Sequence, residues 1–546
     1  MGAKLLFLAL AALCAARVFA ADAKTDHFLR NYRHGYCPYP LPYETTLEEI
    51  KSVADRGFTA MGIGFAGPCV RGEIDFSKLD AAIEMLAKDG RKTVLYVNPR
   101  FPESEGLSDV LSTGARINHT NDKCPNYAII DIFDPAQAAK FNGYLAKVAA
   151  RYGRNPNAIG FVFGWGYLGE TGFYHGDFFT KGESPGGVCA GYSDNALREY
   201  NKLRKRKGLK PIGKLPQPST QRQSDDYIDW THFKHFYVGE VFNKQAVDAM
   251  KSATDKPVGT FAYLPAGIES YARGWDNTPN ADFYRSAGSA STFDNTRTLI
   301  DSAIGWEDSG LHDGAWDFTS KRMICDEARM IAKGAVFHAM LARNYATEPQ
   351  WEKDVFDKVC KFLLTQDLAK QITPEKATVA LFQPTWANAV IPSIDKDRPF
   401  LPAAGPSVYI SRMMGLVESF GLPYRLITEG DLADPKLLGT FKLILLPMSD
   451  QMPRVLGPRR ASELLADPRV LAIPLRDKPV PRSEFRKMLE AKRAPIAFDY
   501  DGETSIAGRA NNLIFNWTAD PVKVRALWKG AWRELELGPD AYEVLR

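Results

Sequence analysis

The sequence predicts an α/β protein: a (β/α)8 barrel over residues 21–372, a small α/β domain over 373–493 and a small β-sandwich over 494–546. Three observations carry that expectation. From residue 28 to about 370, short apolar β-rich runs alternate with amphipathic helices, the pattern of parallel βα units. Eight such runs can be found, which is the strand count of a barrel. Past Lys376 the pattern first continues in a shorter α/β stretch and then, from about Ala494, turns to strands separated by Gly, Asn and Asp.

The expected barrel strands are a first one near Arg30–Tyr36, then Phe58–Phe65, Lys92–Val97, Ala158–Gly164, Pro257–Tyr263, Ala281–Ala287, Thr298–Ile304 and Ala335–Leu341. Apolar positions at helical spacing predict helices over Asp75–Lys88, Pro135–Tyr152 and Tyr227–Thr254. In the second domain the expected elements are the strand Ala377–Phe382, the helix Val408–Phe420 and the strand Phe441–Pro447. The last domain is expected to hold strands Ile496–Tyr500, Asn512–Trp517, Val522–Trp528 and Trp532–Leu537.

Residues 1–20 have the pattern of a cleavable secretory leader, with Lys4, the apolar stretch Leu5–Ala16 and the small-residue site Val18-Phe19-Ala20. Leu13 before Cys14 lacks the small residue that a lipid-anchor signal needs, so a periplasmic or secreted protein without a membrane anchor is expected. Losing Lys4 and Arg17 takes the formal net charge from +4 to +2, which points to no charged partner. The basic run Lys202–Lys207 ends a predicted helix, where cations complement the helix dipole, so it does not predict nucleic-acid binding. Six cysteines remain, Cys37, Cys69, Cys124, Cys189, Cys325 and Cys360; they allow disulfides, their pairing stays open, and their spacing is too irregular for zinc. No cofactor is expected.

Barrel enzymes gather their chemistry where strands end, so carboxylates just past an apolar run are the first candidates. Two segments qualify. Phe161–Asp177 empties into a loop rich in Gly, aromatics and ionisable groups around Glu170, and Leu299–Gly310 carries Glu307. Cleaving a glycosidic bond takes one carboxyl group to protonate the departing oxygen and a second to attack the anomeric carbon or activate water. Glu170 and Glu307, 137 positions apart, would follow strands four and seven of one barrel and face a common mouth. The bland reading is a pair of loop carboxylates bonded to nearby cations, and Asp301 and Asp308 compete with Glu307.

Trp165, Trp306 and Trp316 flank these acids and are candidate platforms for sugar rings, with barrel filling as the alternative. Tyr174, His175 and Asp177, with Asp308, are candidate contacts to hydroxyls, as are His312 and Asp313; no metal-ligand spacing links them. Asn98 and Arg100 end strand three, and Tyr284 and Arg285 fall late in strand six, where substrate contacts gather.

With these motifs in place the chain resembles the barrel glycosidases related to the family 42 β-galactosidases, over nearly all of its expected mature length. Helix Pro135–Tyr152 and the lead Arg154–Gly160 into strand four are similar to the family's approach to its acid/base, and Gly305-Trp306-Glu307 sits where its nucleophile belongs. The resemblance implies a retaining hydrolase on a TIM barrel, with Glu170 as acid/base and Glu307 as nucleophile. It also implies a carbohydrate substrate, and an amidotransferase-like or flavodoxin-like second domain that could join copies into a dimer or trimer. Gly169 stands where the family has Asn before its acid/base, and a Gly-Glu pair also resembles the acid site of the inverting β-amylases.

Rival readings are a sialidase-like enzyme for an acidic sugar, using Tyr284 beside Arg285, and a carbohydrate-binding protein on a barrel without activity. A working amidotransferase is excluded by the residues themselves. Its chemistry needs a nucleophilic Cys with a His, and the last of these in the chain are Cys360 and His338, both before the second domain.

Overall fold

The computed structural model describes residues 34–41, 45–67, 74–102, 109–116, 118–119, 127–128, 130–165, 190–217, 224–260, 328, 338–340, 350, 354, 357, 361, 368–373, 375–382, 406–427, 431–433, 435–476, 480–516 and 518–546. The leader and the predicted strands Ala281–Ala287 and Thr298–Ile304 lie outside them.

The first domain is built on a parallel sheet of six described strands: β1 (His34–Leu41), β2 (Ala60–Gly67), β3 (Lys92–Pro99), β4 (Ala158–Phe163), β5 (Val258–Thr260) and β6 (His338–Met340). Their order is β5-β4-β3-β2-β1-β6. The last strand therefore returns beside the first, His34 pairing with His338, as strand eight does with strand one when a (β/α)8 barrel closes. The strands form where the sequence places them, except that β1 runs on past Tyr36 to Leu41. Its end contains Pro38 and Pro40, which lack the N–H that a ladder uses, and its register with β2 shifts between Cys37 and Leu41.

Helices α1 (Leu47–Ala54), α2 (Ser77–Lys88), α3 (Pro135–Tyr152) and α4 (Asp194–Arg206) follow, with α5 (Asp225–Phe236) and α6 (Lys244–Lys251) beyond. Their starts are chemically marked. Thr46 and Glu49 form a reciprocal capping box on α1, and Asp134 accepts the Ala136 N–H at 2.8 Å with Pro135 in the first turn of α3. The predicted helix Tyr227–Thr254 is interrupted: Tyr237–Asn243 forms a π-helix between α5 and α6. Past the end of α3, the Lys256 ammonium donates to the carbonyls of Tyr152, Asn155 and Ala158, pinning the lead into β4. The basic run on α4 is likewise paired in part: Lys202 with Glu199, Arg204 with Asp226 and Lys207 with Asp229.

Strand parity sorts the barrel's two sides. Met61, Ile63 and Phe65 of β2, Leu95 and Val97 of β3, and Phe161 and Phe163 of β4 belong to the core between sheet and helices. The alternate positions Ala60, Gly62, Gly64, Val94, Tyr96, Gly160 and Val162 therefore face the barrel axis. Tyr96 is paired in register with Gly64 and Val162, so its ring has room above the glycine row.

After the short helix α7 (Leu368–Gln371), the second domain holds β7 (Val379–Phe382), α8 (Pro406–Glu418), β8 (Tyr424–Ile427), β9 (Leu443–Pro447), α9 (Met452–Leu456) and β10 (Val470–Ile473), and ends in α10 (Arg482–Ala491). Its parallel sheet has the order β8-β7-β9-β10, the doubly wound order of flavodoxin-like folds. β7 and β9 are buried along their whole length, as strands covered on both faces must be. After β9 the chain turns sharply at Met448, in the left-handed region at φ 55°, before a short 3-10 turn and α9. This is the geometry that elsewhere presents a catalytic nucleophile at a strand-to-helix elbow, and here the position holds an inert thioether.

The C-terminal strands are β11 (Phe498–Tyr500), β12 (Ala507–Ala510), β13 (Leu513–Asn516), β14 (Val522–Trp528), β15 (Ala531–Leu537) and β16 (Tyr542–Val544). They make two antiparallel three-stranded sheets, β11-β14-β15 and β12-β13-β16. The Asn512 amide joins them to the end of the barrel domain, accepting from the Thr373 N–H at 2.7 Å and donating to the Gln371 carbonyl at 2.9 Å.

Candidate active site

The C-terminal ends of β3 and β4 position the described candidates. On β3 the outward residues are Leu95 and Val97, so Asn98, in phase with Tyr96, faces the barrel axis one step nearer the mouth. Arg100 follows in the same phase and is buried at 6% exposure. The residue after it, Phe101, packs outward, edge-on to Tyr144 of α3 at 6.4 Å with the Lys140 ammonium 5.1 Å from its ring. The alternation thus leaves an amide and a guanidinium at the mouth, groups able to hydrogen-bond the hydroxyls of a bound sugar.

Of the two roles that the sequence leaves open for Trp165, sugar platform or filling, its placement favours filling. It continues the phase of Phe161 and Phe163, is buried at 3% exposure, and meets Phe242 edge-on with ring centroids 5.7 Å apart. Phe242 in turn contacts Phe141 of α3 at 5.4 Å. Trp165 is therefore a wall residue between sheet and helices, because period-two alternation carries it to the helix side. Replacing it with Ala should lower stability by about 3–5 kcal/mol, as emptying a buried aromatic site does, and leave KM for any cleaved glycoside within about twofold. Urea denaturation beside steady-state kinetics checks this; a raised KM at unchanged stability would return Trp165 to the substrate.

Glu170, Tyr174, His175, Asp177, Tyr284, Arg285, Trp306, Glu307, Asp308, His312, Asp313 and Trp316 lie outside the described residues. So do the side chains of all six cysteines of the expected mature chain. Glu170 follows five positions after Trp165, in the segment that leaves the fourth barrel strand. Among the described residues no group of three or more His, Cys, Asp or Glu is arranged to hold a metal ion, and no helix is long and apolar enough to cross a membrane.

Sequence reasoning missed a polar cluster on the same face. The third βα loop, after β3, and the fourth, after β4, are joined by buried carboxylates: Asp109 accepts the Gly191 N–H at 3.0 Å, and Asp131 accepts from the Asn195 amide at 2.8 Å. Desolvation, and then Asp131, push the Asp109 carboxyl well above the usual carboxylate range. No periodicity announces such a cluster, since its members come from separate segments.

No family model matches the sequence, and no curated protein matches it. Solved structures do match in shape. A β-galactosidase from the psychrophile Marinomonas ef1 superposes with a TM-score of 0.59 at 12% identity, covering 93% of this chain and 99% of the other. The cold-adapted β-galactosidase of Rahnella sp. R3 gives 0.60 at 11% identity, covering 94% and 98%. The β-galactosidase of the Antarctic haloarchaeon Halorubrum lacusprofundi gives 0.59 at 14% identity, also over 94% and 98%. The chain therefore shares the fold of these proteins over 93–94% of its length.

Proposed function

We propose that the chain is an exported glycoside hydrolase of β-galactosidase-like type, retaining configuration, with Glu170 as acid/base and Glu307 as nucleophile. One observation carries the reading: the full-length likeness to solved β-galactosidases, in a chain whose fourth barrel strand runs directly into the segment bearing Glu170. In this mechanism Glu170 donates its proton to the glycosidic oxygen while the Glu307 carboxylate attacks the anomeric carbon, so the C–O bond breaks and the alcohol departs. Glu170, now a carboxylate, takes a proton from water, whose oxygen displaces Glu307 and frees the sugar.

The axis-facing Asn98 and Arg100 would bond sugar hydroxyls, with Tyr174, His175, Asp177, Tyr284, Arg285, Trp306, Asp308 and Trp316 as further contacts. Export rests on the leader pattern of residues 1–20. Assembly through the α/β domain is part of the same proposal.

The test is sugar release from a panel of aryl glycosides and natural glycans by the wild-type protein. Hydrolysis of a β-galactoside or a related β-glycoside is the expected result. Release of an acidic sugar alone would favour the sialidase-like reading, and binding of glycans without cleavage would replace hydrolysis with carriage.

A further inference from the structure

Helix α4 runs out into a loop whose positive charge is only partly compensated. From Tyr200 to Ser224 the chain holds eight Lys or Arg and no Asp or Glu. Three of these cations are paired: Lys202 with Glu199, Arg204 with Asp226 and Lys207 with Asp229. The acids at the start of α5 are thereby occupied, apart from Asp225, which is exposed. Among the described residues Lys205, Arg206, Lys210 and Lys214 meet no carboxylate within ion-pair distance, and all four are exposed.

The loop is braced by its own hydrogen bonds. Gly208, at φ 73°, stops the helix in the left-handed region. The Leu209 N–H donates to the Arg204 carbonyl at 2.9 Å and the Gly208 N–H to the Lys205 carbonyl at 3.0 Å. In this helix stop the residue after the glycine commonly packs back on the helix, yet Leu209 is 45% exposed. The Asn201 amide clamps the chain beyond it, accepting from the Ile212 N–H and donating to the Ile212 carbonyl, both at 2.9 Å. Arg204 Nε donates to the Lys210 carbonyl, also at 2.9 Å. Leu209 is thus held in water on a fixed turn, with unpaired cations before and after it in sequence.

An anionic bilayer completes such a surface. Its phosphate headgroups meet the cations, and the leucine enters the boundary between headgroups and acyl chains. A soluble polyanion would meet the same cations and leave Leu209 in water. A sugar chain would lack an aromatic face to stack on, since Tyr200 of α4 is buried. We propose that the loop from Lys205 to Lys214 docks the protein on the surface of an anionic lipid bilayer, without crossing it. This docking stands independently of hydrolysis.

Co-sedimentation of the expected mature chain, residues 21–546, with vesicles tests it; every residue the structure describes is present in that chain. On vesicles of phosphatidylglycerol and phosphatidylcholine, binding should exceed that on phosphatidylcholine alone by about tenfold or more at about 50 mM salt. Most of that excess should vanish at about 500 mM salt, where screening shortens the reach of the cations. The variant Lys205→Ala/Arg206→Ala/Lys210→Ala/Lys214→Ala should bind the anionic vesicles about a hundredfold less, since each cation near such a surface contributes about fivefold. Leu209→Ser should bind them about threefold to fivefold less at either salt concentration, because apolar insertion is not screened. All five positions are exposed, so circular dichroism should be unchanged. Equal binding to both kinds of vesicle, or a fourfold variant that binds as the wild type does, overturns the docking. A Leu209→Ser chain that binds as the wild type does also overturns it, and tight binding of heparin by that chain would assign the loop to soluble polyanions instead.

Discussion

Glu307→Gln and Glu170→Gln should each lower kcat/KM for an unactivated glycoside by about 10²–10⁴-fold or more, with circular dichroism and melting temperature unchanged. The size follows from what each group does. On the proposed mechanism Glu307 would form the bond to the anomeric carbon, so its amide would remove the covalent route altogether. Glu170 would supply the proton without which the departing oxygen leaves as a poor alkoxide leaving group. The two variants should therefore differ by substrate. With a dinitrophenyl leaving group, which needs no proton, Glu170→Gln should cleave the first bond at near wild-type rate, and added azide should then restore turnover by attacking the glycosyl-enzyme. Glu307→Gln should show neither behaviour. If Glu170→Gln is equally slow on activated and unactivated substrates, Glu170 is not the acid. Asp308 is the next residue to examine for the nucleophile if Glu307→Gln stays active.

Arg482→Ala should cost about 3–5 kcal/mol of stability, since several buried acceptors are left unsatisfied at about 1–3 kcal/mol each. Arg482 is 3% exposed at the start of α10. All five of its N–H donors are used: Nε on the Ser419 hydroxyl at 3.2 Å, and Nη1 on the Tyr500 and Gly502 carbonyls at 2.7 and 3.0 Å. Nη2 reaches the Ser419 carbonyl at 3.1 Å and the Asp499 carboxylate at 3.3 Å. Its guanidinium also lies 3.6 Å from the Tyr500 ring centroid and 4.7 Å from that of Phe420. One side chain thus ties the end of α8 to β11, joining the α/β domain to the β-sandwich. Arg486 and Arg525 also pair with Asp499, so the carboxylate stays compensated when Arg482 is lost. The loss falls on the orphaned carbonyls instead. Arg482→Lys should recover little, since an ammonium cannot meet five acceptors in one plane. Urea midpoints for the three proteins check this; an Arg482→Ala midpoint within experimental scatter of the wild type would show the network to be dispensable.

Much of the architecture was legible because its signals are local. Helix α3 begins and ends where expected, since Asp134-Pro135 marks its start and the apolar spacing runs unbroken to Tyr152. Strand β2 alternates Gly with apolar residues and β3 holds the apolar run Val94–Val97, patterns long enough to stand out. Strands β8 and β10, four residues each, were not anticipated, because such short runs lack a readable period and form by pairing with distant neighbours. The π-helix escaped for a similar reason: one inserted residue does not disturb an apolar stripe enough to be seen. At the candidate site, the rule that strand ends carry function singles out Asn98 and Arg100, and the alternation of β3 turns Asn98 toward the barrel axis. For Trp165 the sequence leaves platform and filling open, and parity favours filling, since Phe161, Phe163 and Trp165 share one phase. The cluster of Asp109 and Asp131 could not be read at all, because only the fold brings these segments together.

The most direct test of the central claim is covalent trapping. A 2-deoxy-2-fluoro glycosyl fluoride matching the cleaved sugar slows the second step more than the first, so a retaining enzyme stalls as its glycosyl-enzyme. Intact mass should then rise by one fluoroglycosyl unit, peptide mapping should place the label on Glu307, and Glu307→Gln should take up none. Turnover of glycosides with no label trapped, or a label on any other residue, would contradict a retaining mechanism through Glu307.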